Sequence, residues 1–319
     1  MSVYDMTSDD LIAAVKRRAF IPRAQSTFSD YDFLAFADEE LALTIVPMLL
    51  RMHEDYLLYT ENVTIENNKT RYTIPYRAVG NKIREVSFRD SAGNIFEMTR
   101  IGVGDLPFYN NQTYNRPYAF YIENNEIVLV PAASYYSAGT SLQISYYMRP
   151  NSMVLLEDVA KITSIDRMSG VIQFSNLPEG FRITDLYDLI SVRSPNKTIS
   201  FDIQPVAINT TSKTMTLNTS DIPDSLNVGD HVTLATETAI PQIPSDLHAH
   251  LTQLVANRCM EALGDQEGLA AGTAKAGQTA AQAEALIDNR VDDAPKKIVN
   301  RHSILGGSTM GRRNRFRGF

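Results

Sequence analysis

Phe28 to Tyr59 reads FSDYDFLAFADEELALTIVPMLLRMHEDYLLY, the stretch around which the rest of the chain is organised. Leu34, Ala37, Leu41, Ile45, Met48, Met52 and Tyr56 recur every three or four residues, which draws one apolar stripe along a helix. Ser29 and Asp30 stand where an N-cap belongs, and Asp32 puts negative charge in the first turn. Asp38, Glu39 and Glu40 fall off the stripe and read as a solvated face. A continuous helix of this length would run roughly 45 Å and would need other helices to lie against. Pro47 interrupts it, and a kink is expected there because proline lacks an N–H and clashes one turn back. Leu34, Leu41, Ile45, Pro47, Met48 and Met52 are therefore the expected structural residues of this element.

The period then changes. From Thr60 it becomes two: Tyr72, Ile74 and Tyr76 alternate, then Arg84, Val86 and Phe88, with Asp90 to Asn94 as the turn that follows. Tyr118 to Val130 reads as a hairpin, AFYIE-NN-EIVLV, whose two asparagines tolerate the positive φ of a type I′ turn. Leu142, Ile144, Tyr146 and Met148 form another alternating run, and Gly102 to Pro117 reads as a long surface loop. A second β-rich segment spans about Met153 to Thr236, with turns at Asp166–Gly170, Asn209–Ser212 and Gly229–Asp230. Pro205 argues for an edge or a bulge there.

Helical period returns after Pro244. Ser245 and Asp246 are expected to cap a helix carrying Leu247, Leu251, Leu254, Val255, Cys259 and Leu263, which Gly264 ends. An alanine-rich helix, weakened by Gly272 and Gly277, follows to Arg290, where Pro295 closes the pattern. At the N-terminus a short helix begins at Thr7 or Ser8. The expected fold is thus α+β. N- and C-terminal helices (1–60 and 239–293) form one bundle, a β-rich middle (61–152 and 153–238, sandwich or small barrel) is inserted, and 294–319 is an extended tail.

Composition limits the chemistry. The chain has 319 residues and a single cysteine, Cys259, which rules out a disulfide framework and a four-cysteine zinc site. His248 and His250 stand i, i+2 on a helix, about 200° apart, and do not share a metal as an i, i+4 pair would. No nucleophile elbow, triad signature or phosphate loop is present, and Gly102-Val-Gly104 lacks the third glycine. No catalytic residue, metal or cofactor is expected, and the chain reads as a non-enzyme. No apolar run reaches the ~18 residues of a membrane helix, and the acidic N-terminus is unlike a secretory signal. The six Asn-x-Ser/Thr triplets therefore read as turns and assembly as cytoplasmic.

Charge is unevenly placed. Lys296, Lys297, Arg301, Arg312, Arg313, Arg315 and Arg317 lie after Ala294 with no acidic residue among them. Setting those seven aside from the net −7 leaves −14 on the rest of the chain. A basic tail of this kind binds nucleic acid, docks on protein or stays idle. Ile298, Val299, Ile304, Leu305, Phe316 and Phe319 add apolar anchors, a mixture that suits docking on a protein partner.

Four stretches in this order carry a likeness: FADEELALTIVPMLLRMHEDYLL (36–58), YTIPYRAVGNKIREV (72–86) with its D-x-x-GN turn, YYMRPN (146–151), and LIDNRVDDAPKKIVN (286–300). Together the chain resembles the head-to-tail adaptor (connector, or head-completion) proteins of tailed bacteriophages. The resemblance implies a helical bundle, a ring of about twelve copies under the portal, and a C-terminal tail that reaches the portal. It also implies a tail-side partner (nozzle, tail tube or terminator) and a place in the virion neck, at the head–tail junction. The portal-docking residues would be Lys296, Lys297, Ile298, Arg301, Ile304, Leu305, Arg312, Arg313, Arg315, Phe316, Arg317 and Phe319. DNA would pass without sequence-specific binding, since an acidic body repels phosphate. The rival readings are a tail terminator or baseplate component, and a receptor- or glycan-binding β-module with an aromatic platform at Tyr109, Tyr114 and Tyr118.

Overall fold

A computed structural model describes residues 6–22, 27–67, 69–109, 116–131, 139–193 and 197–287. The chain begins with α1 (Ser8–Arg18) and α2 (Asp30–Glu40). Each starts at a capping box: Thr7 with Asp10, and Ser29 with Asp32. The long stripe does not run on as one α-helix. A π-helical turn (Leu41–Ile45) follows α2, then α3 (Val46–Met52) with Pro47 in its first turn. Val46 donates its N–H to the carbonyl of Leu41, five residues back, so the ladder is already shifted where proline would have broken it. The extra residue also rotates the stripe: Leu34, Ala37, Leu41 and Ile45 are buried, but the next buried residues are Val46 and Leu49. Met48 and Met52 are half-buried and Pro47 is exposed.

The helix ends at Met52, not near Tyr59. Glu54–Leu57 is a 3₁₀ turn tied down by Tyr147 Oη to Glu54 (2.6 Å) and by ion pairing of Arg84 with Asp55. Strand β1 (Leu58–Thr64) then pairs along its whole length with a strand some 80 residues later, and this tertiary pairing overrides local helical period. The chain continues through β2 (Arg71–Thr73), β3 (Ala78–Arg89), β4 (Ile95–Glu97), β5 (Thr99–Arg100) and the short α4 (Leu106–Tyr109). There follow β6 (Ala119–Glu123), β7 (Glu126–Val130), β8 (Ser141–Met148) and β9 (Ser152–Met153). Asn124 and Asn125, at φ 48° and 63°, form the expected hairpin turn between β6 and β7. Two four-stranded sheets, ordered β1-β8-β3-β4 and β2-β7-β6-β5, enclose one core that includes Tyr72, Val86, Phe120, Ile127, Leu142 and Ile144.

The second β-segment comprises β10 (Ala160–Asp166), β11 (Val171–Phe174), β12 (Tyr187–Ser191), β13 (Lys197–Ile203), β14 (Ala207–Asn209), β15 (Thr214–Thr216), β16 (His231–Leu234) and β17 (Glu237–Thr238). Seven of these form one sheet in the order β13-β12-β16-β10-β11-β15-β14, while β17 pairs with β9 in parallel. The two edges, β13 and β14, are joined by residues 204–206 alone, a link that spans at most about 14 Å. A flat sheet of seven strands would be about 29 Å wide, so this one curls its edges toward each other. Pro205 lies in that link, where no ladder hydrogen bond is lost.

The chain closes with α5 (Ser245–Leu263) and α6 (Gln266–Ile287). Pro244, not Ser245, occupies the N-cap position of α5, without a side-chain cap, and Gly264 ends the helix at φ 75°. Residues of α1, α2, the π turn, α3, α5 and α6 share one apolar core with Met153 and Leu155. Cys259 is fully buried in it, and burial pushes its thiol up to about 12. The fold is mixed helix and sheet with a β-rich middle. Among the described residues no helix is long and apolar enough to cross a membrane.

Two glycines separate close approach from ordinary helix weakening. Gly170 closes the β10–β11 hairpin at φ +74°, and a Cβ there would stand 2.3 Å from the Leu217 carbonyl oxygen. Gly170→Ala should therefore cost roughly 2 kcal/mol or more in urea unfolding of the full chain. Gly277 has nothing within 4 Å of such a Cβ, and Gly277→Ala should raise stability by up to about 1 kcal/mol.

Candidate functional site

The most heavily constrained side chains lie where the two β-segments meet. Alternation along β12 sends Tyr187 and Leu189 into the core of the curled sheet, so Asp188 faces the other way. It is nevertheless fully buried, because a turn from the first β-segment covers it. That turn, Pro75 to Ala78, carries Arg77, whose own carbonyl accepts from the Arg149 amide. The guanidinium grips Asp188 with both terminal nitrogens at 2.9 Å and reaches Asp202 at 2.7 Å. Burial opposes the Arg77 charge, but hydrogen bonding to Asp202 and the charge of Asp188 outweigh it and hold the group above its ordinary value.

Asp188 collects three further donors: the Asp202 amide (3.1 Å), the Asn151 side-chain amide (2.9 Å) and the Thr236 amide (3.1 Å). The first exists because the β12–β13 register shifts between Tyr187 and Leu189 and Asp202 adopts φ 54°. A non-glycine residue in that region costs of order 1–3 kcal/mol, here offset by the contacts it makes. Asn151 also donates to the Glu237 carbonyl, accepts from Arg77, and gives its backbone N–H to Gln242, which in turn donates to Thr198. Four separate chain segments thus converge on one carboxylate.

Two residues further on, the Met153 amide donates to Asp38 on α2 at 2.8 Å. Burial pushes the Asp38 carboxyl up to about 6. Asp38 is half-buried, whereas Glu40 two residues on is buried and accepts from Arg258 of α5 (2.6 Å) and from Thr44 (2.7 Å). The expectation of a solvated acidic face over Asp38–Glu40 therefore fails for two of the three: only Glu39 is exposed. These carboxylates fasten α2 to β9 and to α5.

The other expected residues are placed as follows. His248 and His250 are both buried, and His250 Nδ1 lies 3.0 Å from the Thr279 hydroxyl on α6. Among the described residues no group of histidine, cysteine and carboxylate side chains is arranged to hold a metal. Tyr109 and Tyr118 are half-buried and stack on each other with centroids 6.0 Å apart, while Tyr114 lies outside the described residues. The Gly102–Pro117 stretch, expected as an irregular loop, contains a 3₁₀ turn and α4. The whole docking set, Lys296 to Phe319, lies outside the described residues.

Sequence pattern alone does not single out Arg77, Asn151, Asp188 or Asp202. Arg77 and Asp188 are 111 positions apart, so no local pattern pairs them. The available signal is a lone carboxylate inside the apolar run LYDLI, since an isolated charge within a buried strand requires a partner.

Residues 6–181 match the family model described as SU10 adaptor protein. No curated protein matches the chain significantly. Among solved structures, the crystal structure of the group B streptococcus pilus 2b backbone protein aligns at 11% identity over 56% of this chain and 74% of that one. Its TM-score is 0.17, too low to carry a shared fold.

Two outcomes test the site. Arg77→Ala should cost about 3–5 kcal/mol in urea unfolding, because it strands a buried carboxylate, and the Arg77→Ala/Asp188→Ala pair should cost less than the sum of its singles. Asp38 has a raised folded-state value, so its contribution is fully present below about pH 4 and is lost as pH rises through about 6. Asp38→Asn keeps the acceptor for Met153 and removes the loss. It should be the more stable protein at pH 7.5, by up to about 3 kcal/mol, with the difference closing toward pH 4.

Proposed function

The chain belongs to the SU10 adaptor protein family, and on that premise we propose that it is the head-to-tail adaptor of a tailed phage, a ring joining portal to tail. The single observation that carries this reading is the family match, which covers residues 6–181: α1 to α3, the first β-segment, and the second as far as Phe181. A phage adaptor is a structural component of the particle, and this one is proposed to work by complementarity to its neighbours, not by catalysis. About twelve copies would surround the DNA channel in the virion neck after assembly in the host cytoplasm.

Charge supports the arrangement. Residues outside 294–319 carry a net −14, which disfavours a grip on passing DNA, whereas 294–319 is wholly basic. We assign the portal contact to that basic segment, with its arginines meeting acidic groups and Phe316 and Phe319 filling apolar grooves. The buried links at Asp188 and Asp38 suit the same task, since a ring bearing load between head and tail needs subunits whose parts keep their spacing.

Electron microscopy of the purified protein mixed with its portal tests the reading. Closed rings seated on the portal are expected, and a protein that stays free at micromolar concentration would overturn it. Removing residues 295–319 should leave the melting transition of the remainder unchanged and abolish attachment. Changing Arg312, Arg313, Arg315 and Arg317 to glutamate should weaken attachment strongly, and changing them to lysine less so. If the truncated protein still joins the portal, the assignment of the contact to this segment is wrong.

A further inference from the structure

A cavity of about 650 Å³ lies on the outer face of the curled sheet, beside the start of α1. Lys161 of β10 stands directly opposite His231 of β16, and both line it. Ala160, Ile162 and Val232, their neighbours along the two strands, belong to the core of the sheet, so alternation turns Lys161 and His231 outward. His231 is nevertheless only 3% exposed, and among the described residues its Nδ1 has no hydrogen-bond partner. Burial, and then the charge of Lys161, push the imidazole down to about 4, so it is neutral at pH 7. Leu156, Val159 and Val192 give the cavity an apolar lining, and Thr7 and Asp9 bring the start of α1 to it.

We propose that this cavity seats Tyr4 of the same chain, its ring against Leu156, Val159 and Val192 and its hydroxyl hydrogen-bonded to the His231 imidazole. Three observations carry it. The unpaired His231 nitrogen calls for an occupant with a polar atom, because a buried polar group left without a partner costs stability. The lining selects the kind of occupant: Lys161 is set against the carboxylates of Asp9 and Glu157, so no excess of positive charge calls for a phosphate or another anion. A neutral group with an apolar body and one hydroxyl suits apolar walls and a neutral imidazole, and that is a phenol. Position selects which phenol. The described residues begin at Met6, Thr7 lines the cavity, and Tyr4 is the one aromatic residue among the five that precede Met6. Three residues of extended chain span about 11 Å at most, which keeps Tyr4 in reach at an effective concentration of about millimolar or above, with no second molecule needed. The capping box of Thr7 and Asp10 fixes the start of α1, and with it the point from which residues 1–5 depart.

Melting of the full-length protein at neutral pH tests this, with p-cresol as the phenol probe. Tyr4→Ala should lower the melting temperature by about 3 °C, and Tyr4→Phe by about 1 °C. In a His231→Phe background Tyr4→Phe should cost nothing further, because the hydroxyl then has no partner to lose. A chain lacking residues 2–5 keeps the capping box and should bind p-cresol saturably in the millimolar range, about tenfold tighter than the full-length protein does. If the shortened chain fails to fold, Tyr4→Ala takes its place in the p-cresol titration. A Tyr4→Ala variant that melts with the parent overturns the proposal, as do equal p-cresol binding by the two chains and a Tyr4→Phe loss that persists without His231. A Tyr4→Ala loss seen only at concentrations where the protein self-associates gives the cavity to a second copy and overturns it too. None of these readouts requires a ring or a portal, so this proposal and the adaptor reading fail independently.

Discussion

A carboxylate removed wholly from water must be met by donors on every side, and Asp188 imposes that condition on the middle of the molecule. Its five donors come from the Pro75–Ala78 turn, Asn151, the bulged residue Asp202 and the Thr236 amide. If one of these segments shifts by an ångström or two, a charge is stranded at a cost of several kcal/mol. The two β-segments are therefore held in one discrete arrangement and not in a continuum of hinged ones. The short stretch Asn151 to Met153 extends the constraint, since Asn151 enters the hub and the Met153 amide reaches Asp38 on α2. Helices and both β-segments are thus clamped within three consecutive residues.

What the sequence made legible is what depends on near neighbours. The capping boxes at Thr7 and Ser29, the Asn124–Asn125 turn and the glycine end of α5 each involve residues within four positions of one another. The apolar stripe located α2 correctly, but its tail from Met48 to Tyr56 misled, for two reasons. A π turn ahead of Pro47 changes the phase of the helix by one residue, and pairing of β1 with β8 claims the chain from Leu58 onward. Both are settled by distant partners. The acidic triplet shows the same division: periodicity put Asp38 and Glu40 off the stripe, yet the partners that cover them, β9 and Arg258, lie more than 100 positions away.

The central site was illegible for the same reason. Arg77 and Asn151 both fall within stretches that carried the family likeness, YTIPYRAVGNKIREV and YYMRPN, so sequence pointed to the right neighbourhoods. It did not say why those neighbourhoods matter. A single arginine and a single asparagine have no period and no spacing rule, and their meaning appears only once Asp188 lies between them.

The curl of the second β-segment has a consequence for how such chains behave when crowded together. The outer strands of an open sheet carry unpaired N–H and C=O groups that can recruit the strand of another molecule and so propagate without limit. Here β13 and β14 are drawn toward each other by a link of only three residues, and proline within that link removes one donor from the seam. The link holds the end of one edge strand near the start of the other, which limits how freely either edge can be approached there by a strand from another molecule.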